Sequence, residues 1–413
     1  MNAPMPERTS AKPVVLVASD GVVPTGFARV AEAIFTRLAD EFDIHHLAIG
    51  HCGDPHHLPW PVYPAGIEPT DRWGLHRIAH LCDWLRPDVV FMLNDTWIVG
   101  KWLTALATAT HQPPCVAYVP VDAGPVDPRS LDHFGRLHRV VAYTETSKAC
   151  MEEAFAQRRA IDPGFVAPEV GVVPHGNDGT RFHHLGEGHR AAARAEIFAD
   201  NPELQAAFIV LNANRNQPRK RIDVTIRGFA EFACDKPPDV KLFLHMGCRD
   251  LGWDIPDLVR RFGIDDRVLM STDQPNMPGV SDHHLNLIYN ACDVGVNTSE
   301  AEGWGLVAFE HAATGAAQIM PDHATLREIW GEAAHRLPIR HTLVEHGTST
   351  DVGLVAAADL TDALDRIYAD PALRRDMSQR AYAHANQPTL SWDAIAETWR
   401  TTLREACQAP VAR

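Results

Sequence analysis

Lysine is scarce in this sequence: Lys12, Lys101, Lys148, Lys220, Lys236 and Lys241 are the only ones among 38 basic residues in 413. Arginine carries nearly all the positive charge, a compositional bias of the kind a GC-rich genome produces. A lysine inside a motif therefore gains weight. Positive charge is also short overall, since 53 acidic residues leave a formal net charge of −15 at pH 7. Neutralising phosphates is what drives nucleic-acid affinity, so no nucleic-acid partner is expected. The eight cysteines are scattered, with no CxxC pair, which is a reduced, cytosolic pattern. No stretch reaches the roughly 18 uncharged apolar residues of a membrane span, and Met1 to Pro13 lacks an apolar h-region. The expectation is a cytoplasmic protein, neither secreted nor integral to a membrane.

What is present is an ordinary globular composition, 45% hydrophobic and 22% charged. The length suggests two domains at roughly 100–200 residues each. The 23 histidines fall partly in adjacent pairs (45/46, 56/57, 183/184, 283/284) whose side chains point opposite ways on a strand. No HExxH spacing exists, so no metal site is expected.

Val14–Ser19 is a short β-branched run that ends in a Gly/Pro loop, followed by a helical pattern over 27–38 with Val30, Ile34, Phe35 and Leu38 on one face. Apolar runs recur at 44–49, 88–93, 115–121, 140–143 and 170–173, and 146–156 reads as a capped helix. Runs apolar on both faces suit a parallel sheet covered by helices. After the polar stretch 183–190 comes a helix at 191–198 and a second series. Its strands lie at 208–211, 240–246, 268–270, 294–297 and 317–320, with helices at 222–233, 255–262, 284–291 and 306–313. Strands alternating with helices in this way predict two Rossmann-like, doubly wound domains joined near residue 185. The tail 361–409 reads as helical, interrupted at Asn386-Gln387-Pro388.

The strongest motif is Glu302-Gly303-Trp304-Gly305-Leu306-Val307-Ala308-Phe309-Glu310, directly after a strand. The glycines let the backbone turn tightly and approach a ligand, and the helix that begins there offers free N–H groups to a phosphate or developing negative charge. Glu302 precedes the turn and Glu310 lies about two turns on, in reach of a second part of the same ligand. A second motif follows strand 208–211: Asn212-Ala213-Asn214-Arg215-Asn216-Gln217-Pro218-Arg219-Lys220-Arg221. Carboxyl ends of parallel strands bind ligands, and a guanidinium with an ammonium can clamp a diphosphate. Taken singly, each motif also reads blandly, as a strand–helix turn and as a solvated basic loop.

Together they resemble the retaining glycosyltransferases of family 4, which have the GT-B fold. That family has an Arg, then Lys five residues on, after the first strand of its C-terminal domain, matched by Arg215 and Lys220. Its Glu-x7-Glu motif is matched by Glu302 to Glu310, with Trp304 in place of Phe and Gly315 following. Val172 to Phe182 resembles the family's V-I-P-N-G-V-D-x-x-x-F segment at the domain junction, and Asn290 to Val294 and Ser391-Trp392-Asp393 also match. The resemblance implies two Rossmann-like domains facing a cleft: 1–185 on the acceptor side, 186–388 binding a nucleotide sugar, and a C-terminal helix, 389–413, packing back on the N-terminal domain. It implies that Arg215 and Lys220 bind the donor diphosphate, Glu310 the ribose hydroxyls, and catalytic Glu302 with the Gly303, Trp304, Gly305 and Leu306 backbone the donor sugar. His175 occupies the family's junction Asn/His position toward the donor. Gly26 stands where the family has a Gly-Gly loop, keeping one glycine of the two. Asp122, after a strand where many relatives have a histidine, is a second catalytic candidate, as sugar contact or as base; it also reads as a turn aspartate. Asn94-Asp95-Thr96-Trp97 ends a strand where an acceptor could bind, and the donor base is expected near Met270-Ser271.

The activity so implied is transfer of a sugar from a nucleoside-diphosphate sugar, UDP- or GDP-linked, to an acceptor hydroxyl, with no metal or other cofactor. Asp265-Asp266 reads as a turn, so no Asp-x-Asp metal site is expected. The acceptor stays open among small molecules, saccharides, peptides and lipid-linked sugars. In the N-terminal half, basic patches for docking on a membrane are lacking, Arg158-Arg159 being the densest run there. Two other readings keep the fold: a sugar-nucleotide epimerase or phosphorylase, and a non-catalytic nucleotide-sugar-binding module. The intact set Arg215, Lys220, Glu302 and Glu310 favours the transferase.

Overall fold

The computed structural model describes residues 12–68 and 70–409, which fall into two compact units. The first holds the described residues up to Gly176, with His346–Thr350 and the described residues from Trp392; the second holds Asn177–Glu345 and Asp351–Ser391.

The first unit opens with β1 (Val14–Asp20), whose Val14 to Ala18 are buried on both faces. The chain then runs through α1 (Gly26–Thr36), β2 (Asp43–Ile49), β3 (Val62–Pro64), α2 (Leu75–Leu85), β4 (Val89–Leu93), α3 (Thr96–Leu106), β5 (Cys115–Tyr118), β6 (Arg139–Ala142), α4 (Glu145–Ile161) and β7 (Glu169–Val172). All strands pair in parallel, in the order β3-β2-β1-β4-β5-β6-β7. Side chains cap the starts of α1 and α4: Thr25 accepts from the Ala28 amide at 3.3 Å, and Thr144 from the Ser147 amide at 3.0 Å. β5 stops at Tyr118 although the apolar run continues to Val121, because Pro120 has no N–H to extend the ladder.

In the second unit follow α5 (His189–Ile197), β8 (Phe208–Asn212), α6 (Ile222–Ala233), β9 (Val240–Leu244), α7 (Ile255–Arg261), β10 (Val268–Met270), α8 (Asp282–Ala291), β11 (Val294–Val296), α9 (Leu306–Ala313), β12 (Ala317–Pro321), α10 (Ala324–Trp330) and β13 (His335–Leu337). The sheet is parallel, in the order β10-β9-β8-β11-β12-β13. Both sheets run outward in two directions from their first strand, so the switch points lie between β1 and β4 and between β8 and β11. An antiparallel hairpin of β14 (His341–Val344) and β15 (Asp351–Leu354) precedes α11 (Ala357–Ala369), α12 (Pro371–Ala385) and α13 (Trp392–Gln408).

Three features depart from the sequence reading. The helical tail starts at Ala357 and has a second break at Asp370-Pro371. Proline disfavours helix in the residue before it, and Asp370 then caps α12 through the Ala372 and Leu373 amides at 2.9 and 3.0 Å. The units join at Gly176/Asn177, ahead of the polar stretch, because Phe182 is buried against Tyr289 of α8 with ring centroids 5.5 Å apart. The hairpin has no signature in the sequence, because all four residues of β14 are exposed and show no apolar alternation. Asp265-Asp266 lies in a 3-10 turn, Asp265–Arg267.

The C-terminal helix α13 belongs to the first unit. Its Trp399 is fully buried, 5.0 Å from the Phe91 ring of β4 and 4.7 Å from Tyr118 of β5. Among the described residues no helix is long and apolar enough to cross a membrane.

Candidate active site

Both motif loops of the second unit leave adjacent strands at its switch point. The first leaves β8 through Asn212, which is fully buried and needs partners for its amide. Its Nδ2 donates to Thr225 Oγ1 of α6 at 2.9 Å, and its Oδ1 accepts from the Asn214 amide at 3.0 Å. Thr225 lies 2.7 Å from Thr298 Oγ1, which donates to the Arg221 carbonyl at 2.8 Å. This buried polar chain ties the β8 loop, the start of α6 and the loop after β11 into one rigid piece. A backbone bond from the Glu300 amide to the Arg219 carbonyl, 2.8 Å, closes the two loops on each other.

Within that frame the Lys220 ammonium donates to the Glu302 carboxylate, with the two residues 7% and 6% exposed. Asn297 Nδ2 and Ser299 Oγ also donate to Glu302, at 3.3 and 3.4 Å, and Arg219 Nη1 stands 3.9 Å away. Thr325 Oγ1 donates to the Glu302 carbonyl at 2.6 Å, and His323 Nε2 to the Ser299 carbonyl at 2.8 Å. Burial alone would push the Glu302 carboxyl up, but the charges of Lys220 and Arg219 and the hydrogen bonds from Lys220 and Asn297 hold it well below the usual carboxylate range. Glu302 is thus an ionised, oriented carboxylate beside a charged amine.

Gly305 follows with φ +85°, a left-handed turn that favours glycine, and α9 starts at the next residue with no side chain capping it. Gly303 and Gly305 are buried and Leu306 half-buried on this turn. The Trp304 ring is buried 5.5 Å from Phe309, as part of the wall beneath the turn. Glu310, in the middle of α9 and 6% exposed, accepts from the Tyr289 hydroxyl at 3.0 Å. Tyr289 is stacked on His311, with centroids 5.5 Å apart.

Arg215, in the same β8 loop, pairs side-on with Asp250, Nε and Nη2 donating at 2.6 and 3.1 Å. Met270 ends β10, two strands from β8, and the following Ser271 lies 2.7 Å from His245 Nδ1. Three sequence candidates belong instead to the first unit. Gly26 is the exposed first residue of α1, beside Thr25, which donates to Asp20 at 2.7 Å. Asp122 is half-buried in the loop after β5. His175 is buried among Tyr118, Tyr143 and Trp392, with Nδ1 2.8 Å from the Tyr118 hydroxyl, and burial lowers its pKa to about 3. It is a neutral, aromatic-packed histidine.

Asn297, Ser299, Thr325, Tyr289 and Asp250 are brought to the site by the fold, outside the residues that the two motifs point to. The polar run Asn297-Thr298-Ser299 at a strand end was a usable signal; Asp250, Tyr289 and Thr325 carry none in sequence. Among the described residues no group of three or more His, Cys, Asp or Glu is placed to hold a metal ion.

Residues 193–384 match the family described as glycosyl transferases group 1. The D-inositol 3-phosphate glycosyltransferase of Nocardia farcinica is 30% identical over 333 residues, 78% of this chain and 65% of that protein. The same-named protein of Segniliparus rotundus is 27% identical over 350 residues, 81% of this chain and 68% of its own. The chain therefore spans about two thirds of the length of these relatives. Among solved structures, sucrose-phosphate synthase from Thermosynechococcus elongatus superposes with a TM-score of 0.68 at 20% identity, covering 95% of this chain and 98% of that one. Anabaena HepE in complex with UDP and glucose gives 0.70 at 17%, covering 95% and 100%. The fold is GT-B, built of two Rossmann-like domains.

Proposed function

Since residues 193–384 belong to the glycosyl transferases group 1 family, we propose that the chain is a retaining glycosyltransferase that moves a sugar from a UDP- or GDP-sugar to an acceptor hydroxyl without a metal. The observation that carries this reading is the buried Lys220–Glu302 pair, held with Arg215 at the carboxyl ends of adjacent strands β8 and β11. A nucleoside diphosphate gains negative charge as its bond to the sugar breaks. Arg215, Lys220 and the open N-terminus of α9 supply positive charge for it, and stabilise the transition state more than the ground state. Glu302, already ionised, accepts hydrogen bonds from the sugar hydroxyls, and Glu310 accepts from two adjacent ribose hydroxyls. The base has Met270-Ser271 beside it.

We assign the acceptor to the first unit, where Gly26 and Asp122 follow strand ends. The relatives named for D-inositol 3-phosphate make a phosphorylated polyol the first acceptor to try. The test is a thermal-shift screen of the full chain with UDP-, GDP-, ADP- and dTDP-sugars, followed by NMR of the product anomer. One nucleotide sugar should raise the unfolding temperature and be turned over with its anomeric configuration kept. If none binds and none is hydrolysed or transferred, the reading fails; a product of inverted configuration removes the retaining assignment alone.

A further inference from the structure

Resting on that reading, we propose that Asp250 is a positioning residue that sets the guanidinium of Arg215 for the donor diphosphate. The loop from Arg249 to Trp253 carries no motif, yet it is fastened to the Arg215 loop at several points. Asn216, fully buried, donates from Nδ2 to the Trp253 carbonyl at 2.7 Å and to the Gly247 carbonyl at 3.2 Å, and accepts on Oδ1 from the Trp253 amide at 2.9 Å. Its own carbonyl accepts from the Leu251 and Gly252 amides at 3.2 and 3.0 Å. The approach is so close that a Cβ on Gly252 would stand 2.2 Å from Asn216 Oδ1. Asp250 is therefore delivered to Arg215 by a rigid clamp one residue away.

The chemistry of the pair follows from the shape of the two groups. Asp250 is 7% exposed in its side chain and Arg215 43%, so the carboxylate is the fixed partner and the arginine the one being held. A guanidinium is planar, and two hydrogen bonds through Nε and Nη2 fix both its position and its plane. Asp250 grips that side edge; the end of the fork, at Nη1 and Nη2, faces away from the pair by the geometry of the group. A long arginine held this way loses less rotamer freedom when it meets a phosphate, and lowering that ordering cost is how preorganisation adds affinity. Asp250 touches no substrate in this scheme and acts through Arg215.

The experiment measures binding of UDP, GDP and the matching nucleosides to the full chain by calorimetry. Asp250→Asn should weaken the preferred diphosphate about tenfold, the lower end of the loss when a partner that orients a metal ligand is removed, and leave the nucleoside unchanged. Arg215→Lys keeps the charge but not the fork, and should weaken the diphosphate to a similar degree. In an Arg215→Ala background, adding Asp250→Asn should have no further effect on diphosphate affinity. Undiminished affinity in Asp250→Asn, tighter binding, or an equal loss in the Arg215→Ala background each overturns the proposal. If Asp250→Asn loses its folded thermal transition, full affinity in Arg215→Lys overturns it instead. Failure of the wild-type chain to bind any nucleoside diphosphate would remove the donor assignment as well, which separates the two failures.

Discussion

At Lys220 stability meets the proposed donor chemistry. Its ammonium is the principal compensation for Glu302, a carboxylate buried beside Asn297 and Ser299. Removing one partner of a buried pair leaves the other charge without its counterion and costs about 3–5 kcal/mol. Lys220→Ala should therefore lower stability by about 3 kcal/mol at pH 7 as well as weaken nucleotide binding, and Lys220→Ala/Glu302→Gln should recover much of the stability but none of the binding. The sign of the pH dependence follows from the carboxylate. In the wild type its folded pKa lies below the ordinary 4.5, so the stability it contributes is present above pH 4.5 and is lost as pH falls. Without Lys220 burial raises that pKa, and the variant loses stability as pH rises. The gap between the two, measured by urea unfolding, should be widest near neutrality and shrink toward pH 4; a constant gap would show that the pair is not the origin of the loss. The place of Lys220 in a motif was legible from its rarity and its distance from Arg215. Its partner choice was not: sequence spacing gives both Lys220 and Glu302 to a ligand, and only the fold places them against each other.

Among the elements, the second unit is legible in sequence where both faces of a strand are covered or a helix carries a clean apolar stripe. The reading of α6 at 222–233, β10 at 268–270 and α9 at 306–313 coincides with the observed ends. Exposed or short elements such as β14 and β13 lack that signature, and the loop 248–253 is organised by Asn216 through contacts distant in sequence. The turn before α9 was legible because its left-handed residue is a glycine. Gly305→Ala puts a side chain at φ +85°, which costs about 1–2 kcal/mol. The strain is relieved by moving the start of α9, so nucleotide-sugar affinity should fall together with stability. Gly263→Ala is the control: φ is +66° there, none of the described residues lies within 4 Å of the added Cβ, and the turn closes α7 rather than the site. It should lose comparable stability in thermal unfolding and keep full affinity in the same titration; equal affinity losses in both variants would mean that the α9 turn has no special part in binding.

For the whole molecule, two α/β series in one chain followed from the alternation of strands and helices, and the acidic balance followed from composition, but neither says to which series a terminal helix belongs. The stripe Ile395, Ala396, Trp399, Leu403 and Ala406 has the spacing of an amphipathic helix, and any apolar surface would satisfy it. The resemblance of Ser391-Trp392-Asp393 to family 4 supplied the direction; the packing of Trp399 on Phe91 and Tyr118 supplies the reason, since β4 and β5 present the aromatic surface that the indole fills. A chain whose last helix completes the first unit couples the integrity of that unit to residues more than 200 positions beyond its last strand. Truncating a fully buried tryptophan costs about 3–5 kcal/mol. Trp399→Ala should therefore lower the unfolding midpoint of the first unit, followed by near-ultraviolet circular dichroism of its aromatic cluster, while UDP or GDP affinity measured below that midpoint stays at the wild-type value because Arg215, Lys220, Glu302 and Glu310 all lie in the second unit. A variant that keeps the first unit's stability would show that α13 contributes no packing energy, and one that loses nucleotide affinity at full folding would show that the donor site depends on more than the second unit's own residues.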